Sequence, residues 1–257
     1  MPRIPLPPVF LTTPLAHRGY HNAALRHPEN AQSAFQAAID AGYGIELDVQ
    51  LCRDGQAVVF HDDTLDRMTA RSGAVREYTA AELGLVRLRD SDDFIPTLAQ
   101  VLQLVDGKVP LLIEIKEQLD TMLDTTGQLE SAVAKALAQY QGPVAVMSFN
   151  PHCMAHMARL APQVPRGLTT EDYDPDACFP IPPDVCAQLR DIPDYDRTEA
   201  SFISHKASDL ARPRVGDLKS KGAAILCWTI RSADQEAKAR QIADNITFEG
   251  YAAALGA

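Results

Sequence analysis

Apolar residues along the chain follow two alternating rhythms. Short runs of Val, Ile and Leu are each followed by an Ala- and Leu-rich stretch with apolar positions three and four apart. That alternation is the pattern of βα units, in which a parallel sheet is covered by helices. Strands are predicted at 14–17, 44–51, 111–115, 144–148, 165–169, 201–205, 224–229 and 245–248. Helices are predicted at 31–42, 97–106, 128–141, 151–160, 209–222 and 233–240. No helix is legible after the fifth strand. Eight strands with helical crossovers predict an α/β fold, a closed (β/α)8 TIM barrel; an open doubly wound sheet is the competing architecture.

Two stretches break the rhythm. Residues 62–96 carry turn signals and mixed charge, and read as an insertion between the second strand and its helix. Residues 171–200 hold Pro175, Pro180, Pro182, Pro183 and Pro193 among many acids, with little period of either kind. Loops of that length in a compact domain are lids, binding loops or disordered segments. Neither stretch is large enough to stand alone, so residues 1–257 are expected to form a single domain.

Composition narrows the functional classes. With 257 residues, 46% hydrophobic and 23% charged, the chain has globular values and enough core to fold without disulfides or a structural metal. The net charge of −10 disfavours nucleic acid and anionic membranes as partners. No run approaches the roughly 20 apolar residues of a membrane span, and Met1 to Phe10 lacks the apolar core of a secretory signal. The five cysteines are scattered without C-x-x-C pairs, which points to reduced thiols and a cytoplasmic location. A mature form that has lost its signal is the alternative. Oligomeric state is not legible.

The chemistry concentrates on a few strands. In Ile45-Glu46-Leu47-Asp48-Val49 the two acids share one strand face and the apolar residues the other. Helices cover the outside of a barrel, so the acids belong inside, near the rim. Two buried carboxylates this close call for a cation, and a hard divalent ion answers that need. The bland alternative is a solvated edge strand. Asp54-Gly55 then predicts a two-residue hairpin, and pairing Arg53 with Gln56 places His61 opposite Asp48, on the acids' face. A histidine that merely closes the hairpin is the competing reading. On the third strand, Glu114 and Lys116 again share a face: a third carboxylate for the cage, and a compact cation for an anionic group. Simple mutual neutralisation would place them there too.

Ala16-His17-Arg18-Gly19 puts an imidazole, a guanidinium suited to phosphate and a flexible residue at the end of the first strand, the rim where barrel active sites lie. Asn30, after Pro28-Glu29, reads first as an N-cap. His152 and His156 have the spacing of a zinc pair but no third ligand, and read as surface residues. Trp228, the only tryptophan, is placed to face the mouth and contact an apolar or polyol part of a ligand.

Taken together, H-R-G (His17 to Gly19), P-E-N (Pro28 to Asn30), E-x-D (Glu46, Asp48), D-G then V-V-x-H-D (His61, Asp62), I-P-T-L (Ile95 to Leu98), E-I-K (Glu114 to Lys116), S-F (Ser148, Phe149) and W-T (Trp228, Thr229) resemble the glycerophosphodiester phosphodiesterases in order and type. The likeness is specific over about residues 15–150 and thins beyond. These enzymes are (β/α)8 barrels related to the phosphatidylinositol-specific phospholipases C, and they hydrolyse glycerophosphodiesters to glycerol 3-phosphate and an alcohol with a divalent metal. The resemblance implies Glu46, Asp48 and Glu114 as ligands of Mg2+ or Ca2+ (or Mn2+), and His17 and His61 as general acid and base. It implies phosphate contacts from Arg18 and Lys116, a supporting role for Glu29, and Trp228 in the glycerol or leaving-group pocket. The partner implied is a small-molecule glycerophosphodiester.

Some positions depart from the family pattern. Cys52 stands where a Thr is common, Arg67-Met68-Thr69 replaces R-T-T, and the last strand runs Asn245 to Tyr251 in place of a G-I-I-T-D-x-P type. These bear on substrate identity more than on the reaction. A lysophospholipid or other phosphodiester is the alternative substrate, and an inactive barrel used for binding is the alternative of another class.

Overall fold

The computed structural model describes residues 3–118, 121–174 and 180–255. Its strands are β1 (Leu15–Ala16), β2 (Gly44–Leu51), β3 (Ala57–Val59), β4 (Leu111–Ile115), β5 (Val144–Ser148), β6 (Arg166–Thr170), β7 (Phe202–Lys206), β8 (Ala224–Ile230) and β9 (Asn245–Phe248). The helices are α1 (Val9–Thr12), α2 (Gln32–Ala41), α3 (Ala80–Leu83), α4 (Leu98–Val105), α5 (Gln128–Leu137), α6 (Pro151–Leu160), α7 (Pro183–Arg190), α8 (Pro213–Ser220) and α9 (Ala233–Ala239). Eight strands pair in parallel, and β1 bonds to both β2 and β9, which closes the sheet. The expected (β/α)8 barrel is the fold, and β3 hangs outside it, antiparallel to β2.

Strand parity sorts the residues as the sequence pattern requires. Ile45, Leu47 and Val49 of β2, with Leu111, Ile113 and Ile115 of β4, pack outward with helix residues such as Phe35, Val101 and Val133. The opposite face of β4 carries Leu112, then Glu114. Leu112 joins Leu15, Ala145, Met147, Phe202 and Leu226 in an apolar layer that reaches Leu6 and Phe10 of the N-terminal segment. Asn245 fastens that segment, donating its amide to the carbonyls of Phe10 (2.8 Å) and Thr13 (2.6 Å). Apolar packing thus fills the end where the strands begin, and the acids lie where they finish.

Several expectations need correcting. The hairpin loop has three residues: Gly55 takes φ +76° and Cys52 N–H bonds to Gln56 O at 3.0 Å. A glycine in the left-handed region at the third loop position makes this the bulged hairpin, which shifts every pair by one. Val49 therefore faces Val59, and Phe60, not His61, bonds to Asp48. The 171–200 stretch is not devoid of helix: α7 starts on Pro183, a residue suited to a first turn, and buries Cys186 and Leu189 beside Tyr173. Two buried positions in eight residues leave too faint a period to read. Cys178 and Pro175 lie outside the described residues. Residues 62–96 form a satellite core of Leu65, Val75, Leu83, Val86, Leu88 and Ile95 against Val58 and Phe60. Among the described residues no helix is long and apolar enough to cross a membrane. Cys52, Cys153, Cys186 and Cys227 are free thiols.

One contact tests how tightly the interior is packed. A Cβ on Gly167 of β6 would lie 2.3 Å from the ring of Phe202, directly across the register on β7. Gly167→Ala should cost on the order of 1–3 kcal/mol of unfolding free energy by denaturant titration, as overpacking does. Adding Phe202→Leu should recover part of the loss; additive losses would show that the two side chains do not compete for space.

Candidate active site

The acids lie at the mouth because register puts them there. Asp48 pairs directly with Glu114 across β2 and β4, and Glu46 sits one pleat below Asp48 on the same face. Glu46, Asp48 and Glu114 are all buried, and one oxygen of each lies within 4.8 Å of the others. Like charges facing across a sheet destabilise it, so this arrangement is held by what surrounds it.

Two cations supply part of the balance. Lys116 Nζ donates to Glu114 Oε1 at 2.9 Å and lies 3.7 Å from Asp48 Oδ1; Arg18 Nε lies 3.5 Å from Asp48 Oδ2. Burial raises the pKa of Asp48, but Lys116, His61 and Arg18, with the Asn30 amide donating at 2.9 Å, hold it below its ordinary value. Glu46 goes the other way. Burial, then Asp48 and Glu114, push it well above the usual carboxylate range despite the Arg18 N–H that it accepts at 3.0 Å. Two cations do not satisfy three carboxylates. Hard oxygen donors crowded in this way fit a divalent ion such as Mg2+ or Ca2+.

Both predicted histidines line the same cavity of about 250 Å³, together with Arg18, the three acids, Lys116, Phe149, Trp228, Arg231 and Thr247. His17 lies just beyond β1, its Nδ1 2.6 Å from Glu249 Oε2 and its Nε2 4.0 Å from Glu46. His61 reaches the cavity through the turn after β3, not through ladder register, and its Nδ1 lies 2.7 Å from Asp62 Oδ1. Trp228 donates its indole N–H to Ser204 O at 3.0 Å and stands edge-to-face with Phe149, with ring centroids 5.5 Å apart. Glu29 stands behind Arg18, accepting from Nη1 at 2.8 Å.

The sequence reading missed some of these roles. Asn30 does not cap α2, whose N-cap is Ala31; its side chain instead brackets Asp48, accepting from its N–H at 3.3 Å as well as donating to its carboxylate. Glu249 had a readable signal, an acid at the finishing end of the last strand, but its partner is 232 residues away. His17, then His21, hold Glu249 far below its ordinary value, and Arg231 grips its other oxygen at 2.7 Å. Gly19 serves packing: a Cβ there would meet Phe35 at 2.9 Å. His152 and His156 stay apart from the cavity, grouped around Asp124 at 3.8 and 2.9 Å.

With this geometry in place, known proteins are informative. Residues 17–245 match the model of the glycerophosphoryl diester phosphodiesterase family. The Bacillus subtilis (strain 168) protein YhdW is 30% identical over 233 residues, covering 87% of this chain and 88% of its own. A glycerophosphodiester phosphodiesterase of Bacillus altitudinis is 34% identical over 179 residues, 65% of this chain and 70% of its own. Among solved structures, an Oleispira antarctica phosphodiesterase in complex with the product sn-glycerol-3-phosphate superposes with a TM-score of 0.75 at 23% identity, over 93% of each chain. The chain belongs to the glycerophosphoryl diester phosphodiesterase family, and its enzyme class is that of the glycerophosphodiester phosphodiesterases.

The crowding of acids has a stability consequence. A carboxylate raised on folding weakens the fold above its folded pKa, and the penalty vanishes below its unfolded value near 4.3. In chelator at pH 8, Glu46→Gln should therefore raise the unfolding free energy, by on the order of 1 kcal/mol, because the amide removes an incompletely balanced buried charge. The gain should shrink as pH falls toward 4. A loss of stability at pH 8 would mean that Arg18 and Lys116 already balance the three acids.

Proposed function

We propose that the chain hydrolyses glycerophosphodiesters to glycerol 3-phosphate and an alcohol, with a divalent ion held by Glu46, Asp48 and Glu114 and proton transfer by His17 and His61. The observation that carries this reading is the meeting, in one cavity, of three buried carboxylates, two cations and two imidazoles. The bound ion supplies positive charge where the phosphoryl oxygens gain negative charge. Arg18 and Lys116 add to that field and seat the phosphate. Thr247 Oγ1, buried without a hydrogen-bond partner, is available to a ligand there.

Glu249 and Asp62 each hold a histidine through Nδ1, which leaves both Nε2 atoms for the substrate. One imidazole takes the proton of the attacking hydroxyl and the other gives a proton to the departing alkoxide, so charge does not build on either oxygen. By family likeness the attacking group is the glycerol 2-hydroxyl; the P–O bond it forms replaces the P–O bond to the alcohol, and water then opens the cyclic phosphate. Trp228 and Phe149 offer faces to the glycerol or the alcohol.

A second groove of about 510 Å³ shares Trp228, Thr229 and Arg231 with the cavity and is lined by Leu210, Ile230 and Ile242 together with Lys206 and Lys238. Apolar residues beside cationic ones suit an alcohol larger than glycerol, and support a lysophospholipid as a second substrate.

Chelation should abolish hydrolysis of glycerophosphodiesters, and Mg2+, Ca2+ or Mn2+ should restore it. His17→Ala and His61→Ala should each lower kcat by about 10²–10⁴-fold, the usual worth of a positioned acid or base, in a protein that unfolds normally. Metal-independent turnover, or full activity in either variant, would overturn the mechanism. A lysophospholipid turned over with comparable kcat/KM would add that substrate; none at all would confine the enzyme to small alcohols.

A further inference from the structure

Arg67 was not among the residues implied for the site, and it does not line the cavity. It belongs to the insertion that follows β3, and its side chain is 47% exposed, yet it is the most heavily bonded cation near the mouth. Its Nε and Nη2 donate to Asp62 at 2.6 and 2.9 Å; its Nη1 and Nη2 donate to Glu29 at 3.0 and 2.6 Å. Each of those carboxylates has a second partner. Asp62 Oδ1 holds His61 Nδ1, and Glu29 Oε1 accepts from Arg18 Nη1. An unbroken chain of charged contacts therefore runs Arg18–Glu29–Arg67–Asp62–His61.

The local backbone is tied to a second arginine. Arg89 donates to the carbonyls of Arg67 and Asp66 at 3.0 Å each and of Thr69 at 2.6 Å, and Leu65 is buried in the satellite core. A planar guanidinium can engage two carboxylates edge-on at once, which a lysine ammonium cannot do with the same geometry.

We propose that Arg67 is a positioning residue that locks the proton-carrying His61 and the phosphate-facing Arg18 to one another, and that delivering it is the catalytic purpose of the 62–96 insertion. The proposal rests on the reaction assigned above. Burial alone would raise Asp62, but Arg67 and then His61 hold its pKa down to about 2, so the link stays ionised across the working range. Without the fork, Asp62 and Glu29 lose their shared anchor and both the imidazole and the guanidinium gain rotational freedom. Neither loses its direct contact with the substrate.

The test pairs kinetics with a spectroscopic readout. Arg67→Ala and Arg67→Lys should each lower kcat/KM at least tenfold, with kcat falling through His61 and KM rising through Arg18. Thermal midpoints should shift by less than about 4 °C, as for a solvent-accessible ion pair. Losses in Arg67→Ala and Asp62→Asn should be non-additive in the double variant. Nitrogen NMR of the histidines should show His61 protonated at Nδ1 in the parent and mixed between tautomers in Arg67→Ala. A fully active Arg67→Lys, additive losses, or an unchanged His61 signal would overturn the proposal. The NMR readout needs no turnover, so a chain inert toward glycerophosphodiesters but with the expected His61 change would sink the reaction and leave the positioning role standing.

Discussion

Three carboxylates share one buried corner of the barrel mouth, and their mutual repulsion is the constraint the surrounding structure answers to. Asp48 and Glu114 face each other directly across β2 and β4, with Glu46 on the same face. Without compensation such a cluster would open the sheet. Lys116 and Arg18 stand against it, Asn30 brackets Asp48, and the apolar floor below leaves the acids no route to water from beneath. Balance is still incomplete at Glu46, and a group under that electrostatic pressure is suited to binding a cation.

Both histidines are arranged by the same rule at one remove. Each is held through Nδ1 by a carboxylate outside the central cluster, Glu249 for His17 and Asp62 for His61. Each carboxylate is in turn fixed by an arginine, Arg231 or Arg67. The outer ring of charges is thus paired, while the inner ring keeps surplus negative charge. Under the proposed reaction, that contrast would divide the labour: orientation outside, binding and electrostatic stabilisation inside.

Much of the fold was readable because βα alternation is a local property. Seven of the eight barrel strands are full-length and lie where the apolar runs predict, and the helix caps at Thr97, Ser232 and Gly42 stand at the expected boundaries. Parity on β2 and β4 was equally legible, since alternation along a strand needs no knowledge of its neighbours. The hairpin misled because Asp-Gly suits both a two-residue and a three-residue loop, and choosing between them depends on how Phe60 packs into the satellite core. The α7 helix escaped because its burial rests on Tyr173, outside the helix itself.

What the sequence determined by itself is therefore a βα alternation with acids at 46, 48 and 114 sharing strand faces and imidazoles near two strand ends; closure into a barrel came from the pairing of β1 with β9. These are matters of local period, set by backbone geometry. Only the tertiary structure decided who meets whom: Glu249 with His17, Asn30 with Asp48, and Arg67 between Glu29 and Asp62. Each of those contacts spans a loop or the closure of the barrel. Side-chain charges act through space over a few ångströms, and neither separation along the chain nor residue type specifies that distance.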